Sequence, residues 1–163
     1  MTKIAIIIYT LYGHIGTMAE TVKKGVEESG AECTIFQVAE TLPEEVLKKM
    51  GAPAKPDYPI IKASQMEDYD GFIFGLSGRY GIMPAQIKTF MDSTGGLWQG
   101  GKLVGKSAGC FFSSGTQGGG QETMGLTTVT FFAHHGMVFI PMGYIDPAAF
   151  SFDEPRKSSC ARC

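Results

Sequence analysis

Nothing in this chain of 163 residues stays apolar over 18 consecutive positions, which leaves no candidate for a membrane-spanning helix. An excess of one charge is also missing. The 14 Lys and Arg face 16 Asp and Glu, and a net charge of −2 supplies no electrostatic reason to expect DNA, RNA or an anionic lipid surface as partner. The 4 cysteines are scattered and make no disulfide framework. Cys33 and Cys110 fall inside apolar runs and read as small buried hydrophobes. Met1-Thr2-Lys3 leads straight into a strand-like segment, unlike a signal peptide, so the expected compartment is reducing and cytoplasmic. No carboxylate or cysteine stands at ligand spacing from His134 and His135, which argues against a metal site.

What the chain has in quantity is glycine, 22 residues of it, set mostly between apolar runs. Apolar residues at 44% and charged residues at 18% suit one soluble domain large enough to bury a core. Ile4 to Tyr9 is a continuous apolar run, the pattern of a strand buried on both faces. Met18, Ala19, Val22 and Val26 then recur at helical spacing until Gly30 supplies a stop. Glu32 to Val38 reads as a second strand, and Pro43 to Met50 as a short helix. Residues 51 to 65 carry three prolines and no period, hence a surface loop. Gly71 to Gly75 reads as the third strand, and Pro84 opens a helix bearing Ile87, Phe90 and Met91. A fourth strand spans Lys106 to Phe112 and a fifth Met137 to Ile140, with a helix from Gln121 to His134 between them, ended by Gly136. Strands and helices in alternation predict an α/β fold, a doubly wound parallel sheet with helices on both faces.

Ligands of such sheets bind at the carboxyl ends of the strands. Three loops lie there: Thr10–Thr17, Leu76–Met83 and Ser113–Gln121. The first joins a strand to a helix N-terminus, where unpaired N–H groups favour an anion. Thr10 and Thr17 offer hydroxyls and Gly13 lets the backbone close in. Without the lysine of a Walker A sequence or the G-x-G-x-x-G spacing, a monophosphate fits this loop best; a merely tight turn is the competing reading. In the second loop Arg79 and Tyr80 are placed to meet a planar ring, although Arg79 alone reads equally as a solvated charge. Thr94-Gly-Gly-Leu-Trp98 ends the third helix in a glycine turn and carries the only tryptophan, core or pocket wall. The third loop is polar and glycine-rich, unsuited to burial unless something binds it. Of the adjacent His134 and His135, only one can face any given site.

The segments Tyr-Gly-His-Ile, Gly-Arg-Tyr-Gly, Phe-Met-Asp-Ser-Thr-Gly-Gly-Leu-Trp, Ser-Ser-Gly-Thr-Gln-Gly-Gly-Gly-Gln-Glu and His-His-Gly-Met-Val occur in that order. Over residues 3 to 144 the chain resembles the tryptophan-repressor-binding-protein family, flavodoxin-like NAD(P)H:quinone oxidoreductases of type IV. The resemblance implies five strands in the order 2-1-3-4-5 and FMN as cofactor. Thr10, Leu11, Tyr12, Gly13, His14 and Ile15 would take the phosphate. Gly78, Arg79 and Tyr80, with Ser113, Ser114, Gly115, Thr116, Gln117 and Gly118, would meet the ribityl chain and ring. Trp98 from a neighbouring subunit and His134 would form the catalytic pocket, where NADH or NADPH and the quinone alternate. It further implies a homotetramer, a dimer of dimers, in the cytoplasm or peripheral to a membrane where quinones reside. A one-electron flavodoxin carrier and a non-catalytic interaction protein are the alternatives.

The chain departs from the family at three places. Gly78 stands where threonine is common, and Gln117 is an extra residue in the third loop. After Tyr144 the residues do not follow the family's pattern, and the expectation is that an atypical tail of residues 145–163 replaces the family's closing helix. Such a change would leave one sheet face short of cover, with Phe150 and Phe152 able to supply part of it. Cys160-Ala-Arg-Cys163 fits neither a prenylation signal nor an activated redox pair and reads as a plain tail.

Overall fold

The computed structural model of the chain describes residues 1–116 and 118–143. The tail, the closing-helix question and Gln117 lie outside the described residues. Strands β1 (Lys3–Tyr9), β2 (Glu32–Gln37), β3 (Gly71–Ser77), β4 (Ser107–Ser113) and β5 (Val138–Phe139) form one sheet in the order β2-β1-β3-β4-β5. All four pairings are parallel, with Ile6 opposite Ile35 on one side and Ile73 on the other. That is the expected architecture, with β1 as its central seam.

Period-two alternation sorts β1 onto two cores. Ala5, Ile7 and Tyr9 face a large cluster with Phe72, Phe74, Ile87, Phe112, Met124 and Phe132. Ile6 and Ile8 face a smaller one with Ile15, Ala19, Cys33, Ile35 and Phe111. Helix α1 (His14–Glu28) covers the smaller core; α3 (Ala85–Asp92) and α5 (Gln121–His134) cover the larger. The short helices α2 (Glu44–Lys49) and α4 (Gly95–Gln99) complete the described set. Gly30 and Gly136, both read as stops, end α1 and α5 with positive φ. In each case the glycine N–H and the next N–H bond back to the last turn, at Glu27 and Val26 and at Ala133 and Phe132.

Three readings need correction. Helix α1 starts at His14 rather than after Thr17, so only Thr10–Gly13 is loop. The Thr94–Trp98 run is not a plain turn but α4 itself, whose N–H groups at Leu97 and Trp98 bond to the Thr94 carbonyl. The proline-bearing stretch gives way at Ala63–Asp68 to a 3₁₀ turn and, before it, pairs Ile60 with Gln37 in a parallel bridge.

Candidate functional site

The ends of β1, β3 and β4 deliver their loops to one cleft of about 460 Å³. It is lined by Thr10, Leu11, Tyr12, His14, Ile15, Ser77, Gly78, Arg79, Ser113, Ser114 and Gly115. Another hollow, of about 610 Å³, is lined among others by Ile4, Val22, Val26, Phe111, Ile140 and Met142. It is larger but apolar and holds none of the expected site residues. The polar cleft is where the chemistry converges.

The cleft's first wall is the strand-to-helix turn. Gly13 caps α1 with φ +93, and no side chain caps the helix start. The N–H groups of His14, Ile15 and Gly16 therefore have no acceptor inside the helix. The Thr10 hydroxyl accepts the Gly13 N–H at 3.0 Å, and its own hydrogen has no acceptor among the described residues. Thr17, expected to help, turns its hydroxyl back to the Gly13 carbonyl at 3.4 Å and does not line the cleft. Tyr12 is half exposed, with its hydroxyl donating to the Met50 carbonyl at 3.2 Å.

The second wall is a two-residue turn. Arg79 and Ile82 exchange both backbone hydrogen bonds, 2.8 and 3.0 Å, around Tyr80 at φ +53 and Gly81 at φ +79. A tyrosine in the left-handed region is uncommon and strained; its side chain stands wholly in solvent and does not line the cleft. The Arg79 guanidinium is held beside the cleft by the Gly78 carbonyl at 2.9 Å. Gly78 donates to the Ser113 carbonyl at 2.7 Å, and a Cβ on it would stand 3.2 Å from the Met124 methyl. A side chain there would need the Met124 methyl to give by a few tenths of an ångström.

The third wall is more firmly built than its composition suggests. Ser114 is buried, donates to the Thr116 carbonyl at 2.7 Å and accepts from the buried Gln121 amide at 3.1 Å. Protein partners satisfy it, while Gly115, Thr116, Gly118 and Gly119 of the same loop are exposed, as its polar composition leads one to expect. Gly120 lies so close to Gly81 that a Cβ on it would come within 2.6 Å of the Gly81 Cα. Thr123 then donates to the Gly81 carbonyl at 2.8 Å, locking the second wall to the third. Thr116 and Gly118 are exposed and lie outside the cleft lining.

Trp98 and His134 do not line this chain's cleft. Trp98 is 59% exposed on α4. The His134 Nδ1–H donates to the Thr130 carbonyl at 2.8 Å, leaving Nε2 toward solvent. Three partners were missed in the sequence. Ser77 Oγ is a buried hydroxyl in the cleft wall with no hydrogen-bond partner among the described residues. Glu40 and Lys55 form an ion pair of 2.8 Å behind the first wall. Burial would raise the Glu40 carboxyl, but hydrogen bonds from Lys55, the Leu42 and Thr41 N–H groups and Tyr9 outweigh it and pull it down to about 2. No local pattern marks Glu40 and Lys55, since contacts to Tyr9, Thr10 and Gln86, 31 to 46 positions away, help to define them.

An uncapped helix start, a spare threonine hydrogen and an orphaned serine hydroxyl suit a ligand with a phosphate and several further polar atoms. FMN fits that description.

Comparison with known proteins decides the family. The sequence pattern described as NADPH-dependent FMN reductase matches residues 2–149. The chain belongs to that family. A quinone-oxidoreductase of Triphysaria versicolor is 52% identical over 144 residues, 88% of this chain and 70% of that one. An NAD(P)H quinone oxidoreductase of Candida albicans is 51% identical over 142 residues, covering 87% and 71%. Among solved structures, a flavodoxin, WrbA-like protein from Agrobacterium tumefaciens superposes with a TM-score of 0.66 at 24% identity, covering 90% of this chain and 82% of that one. The likeness to that structure concerns the fold alone.

Proposed function

We propose that this FMN reductase family member holds FMN in the three-walled cleft and reduces quinones to hydroquinones with NADH or NADPH, as a type IV enzyme. The observation that carries the placement is the set of polar groups without protein partners at the cleft: the α1 N–H groups, the Thr10 hydrogen and Ser77 Oγ. The names of the relatives at about half identity carry the reaction.

When bound, FMN supplies the two-electron redox chemistry. The chain supplies the binding and orientation. Thr10, Leu11, Tyr12, Gly13, His14 and Ile15 take the phosphate, with the helix start as the anion site. Gly78 and Arg79, with Ser113, Ser114 and Gly115, meet the ribityl chain and ring; Tyr80, Thr116 and Gly118 lie outside the cleft lining. Arg79 brings the cleft's fixed positive charge, and the buried Leu11 and Ile15 keep water from its floor.

Trp98, reaching in from a neighbouring subunit, and His134 complete the catalytic pocket in a homotetramer. Supporting this is the exposure of Trp98, which leaves it open to contact by a neighbouring subunit. In this reading the flavodoxin-like unit is residues 1–144. Such an enzyme works in the cytoplasm or at the periphery of a membrane where quinones reside; no helix among the described residues is long and apolar enough to cross one.

The test is to load the purified protein with FMN, remove the excess and record its absorbance, then follow NADH and NADPH oxidation with and without a benzoquinone. Retained flavin and quinone-dependent oxidation are expected. Flavin without quinone turnover would indicate an electron carrier. No flavin at all would indicate an interaction protein.

A further inference from the structure

The proline-bearing segment between α2 and the 3₁₀ turn wraps the outside of the first wall. It is anchored by Gln37, whose side-chain amide donates to the carbonyls of Pro56 at 2.9 Å and Tyr58 at 2.7 Å. The Gln37 backbone bonds to Pro59 and Ile61 at 3.0 Å each. From that anchored position the segment reaches α1 and its preceding turn at three points. The Tyr58 hydroxyl donates to Glu20 at 2.6 Å, the Met50 carbonyl accepts from Tyr12 at 3.2 Å, and the Lys55 ammonium donates to the Thr10 carbonyl at 2.9 Å.

Lys55 is held in turn. Its ammonium pairs with Glu40 Oε2 at 2.8 Å and stands 4.3 Å from the centre of the Tyr9 ring. Glu40 accepts from the Tyr9 hydroxyl at 3.0 Å, from the Gln86 amide at 2.9 Å and from the N–H groups of Thr41 and Leu42 at 2.9 and 3.1 Å. Groups from β1, from the chain after β2 and from α3 thus converge on the Glu40 carboxylate, which holds the one ammonium that fixes the Thr10 carbonyl. Thr10 is pinned at its carbonyl by Lys55 and at its hydroxyl by the Gly13 N–H, with only Leu11 and Tyr12 between.

We propose that Lys55 is a positioning residue for cofactor binding: held by Glu40, it fixes the Thr10 peptide and so aims the Thr10–Ile15 turn at the phosphate of FMN. The role rests on the FMN placement above. A turn whose donors already point at the anion loses little freedom on binding, and the lysine's charge is largely spent on Glu40. The bracket acts through geometry and not through attraction of the phosphate.

The decisive measurement is the FMN dissociation constant of the full-length apo-protein, by quenching of flavin fluorescence, for wild type, Lys55→Met, Lys55→Arg and Glu40→Gln. Riboflavin, which lacks the phosphate, is titrated in parallel. Lys55→Met is expected to weaken FMN about tenfold or more with riboflavin changed less than twofold. Lys55→Arg should restore most of the loss, and Glu40→Gln should weaken FMN as well. Tighter FMN binding by Glu40→Gln would mean that Lys55 acts as a free charge and would overturn the proposal. So would unchanged FMN affinity in Lys55→Met, or equal losses for FMN and riboflavin. If Lys55→Met does not fold, Gln86→Leu removes one donor from Glu40 and should weaken FMN about threefold; no change there overturns the bracket. A wild-type protein that binds no FMN would instead remove the cofactor placement itself.

Discussion

His135 Nε2 lies 2.9 Å from Thr94 Oγ1 in the buried contact between the end of α5 and the start of α4. Thr94 spends its one hydroxyl hydrogen on the Met91 carbonyl at 2.6 Å, so the histidine must donate. Its proton therefore sits on Nε2, and the buried Nδ1 is a lone pair with no partner among the described residues. Burial first, and the neighbouring His134 charge second, lower its pKa below the usual 6.5. The pair staples the helix that carries Trp98 to the helix that carries His134.

That pKa shift has a definite pH signature. The unfolded chain takes up a proton near pH 6.5, which folded His135 declines until lower pH. The contribution is complete above pH 6.5 and is lost as pH falls toward the folded value. Urea melts between pH 7.5 and 5 should show wild type losing stability through the upper part of that range. His135→Gln, which can still donate to Thr94 but does not titrate, should show a flatter profile. Parallel profiles for the two proteins would contradict the assignment.

Gly120→Ala tests the junction of the second and third walls. The new methyl would meet the Gly81 backbone at 2.6 Å in a residue already at φ +69. Gly118→Ala has the same φ of +69 but nothing within 4 Å, so it isolates the conformational cost. We expect Gly118→Ala to cost ~1–2 kcal/mol and Gly120→Ala to cost ~1–3 kcal/mol more, with a matching loss of flavin affinity. Equal denaturation midpoints would mean that the two walls do not bear on one another.

Gly13→Val addresses the phosphate turn by a different cause. Open space surrounds Gly13, so no protein atom resists a side chain; the resistance is its φ of +93. A β-branched residue avoids that region, and the turn will relax by rotating the first N–H groups of α1 away from the cleft. The fold, measured by circular dichroism, should persist while FMN retention falls at least tenfold. Full retention would move the phosphate elsewhere.

The framework was legible because β1 and β3 are buried on both faces and had to be continuous apolar runs, as Ile4–Tyr9 and Gly71–Gly75 are. Gly30 and Gly136 marked helix ends through a backbone need that few other residues meet. The start of α1 was misplaced because it has no side-chain cap, and the absent cap is itself what leaves donors for an anion. Helix α4 went unseen because its five residues include two glycines and only Leu97 is buried. Ser77, Glu40 and Lys55 were illegible for another reason. Each draws its meaning from a partner brought near by the sheet, or from having none.

Trp98→Ala separates a pocket role from a structural one. With its side chain mostly in solvent, the change should alter stability by no more than about 0.5 kcal/mol. If the indole lines a composite pocket, quinone turnover should fall severalfold while FMN retention holds. It should fall most at low protein concentration, where an assembly that supplies the indole dissociates. Equal loss of turnover and flavin would mark Trp98 as a support for α4 instead.

Glu40 predicts the behaviour in acid. Its carboxyl is about 2 when folded against an ordinary 4.5, because the unfolded chain offers none of its donors from Lys55, Tyr9, Leu42 and Thr41. A depressed carboxylate stabilises the fold fully above the unfolded pKa, and the gain disappears as pH falls from 4.5 through about 2. The amount at stake is on the order of 2 kcal/mol for this mostly buried group. Glu40→Gln keeps the shape but cannot ionise, so it should be less stable than wild type at pH 7 and should leave Lys55 without its counter-charge. As the pH drops below 4.5 the wild-type carboxylate is titrated and that difference must shrink, until the two melting curves converge near pH 2. Other carboxylates are common to both proteins and drop out of the difference. A gap that stays constant from pH 7 down to the acid limit would show that the Glu40 contacts stabilise by packing alone, and that its charge does not hold Lys55 against the Thr10 turn.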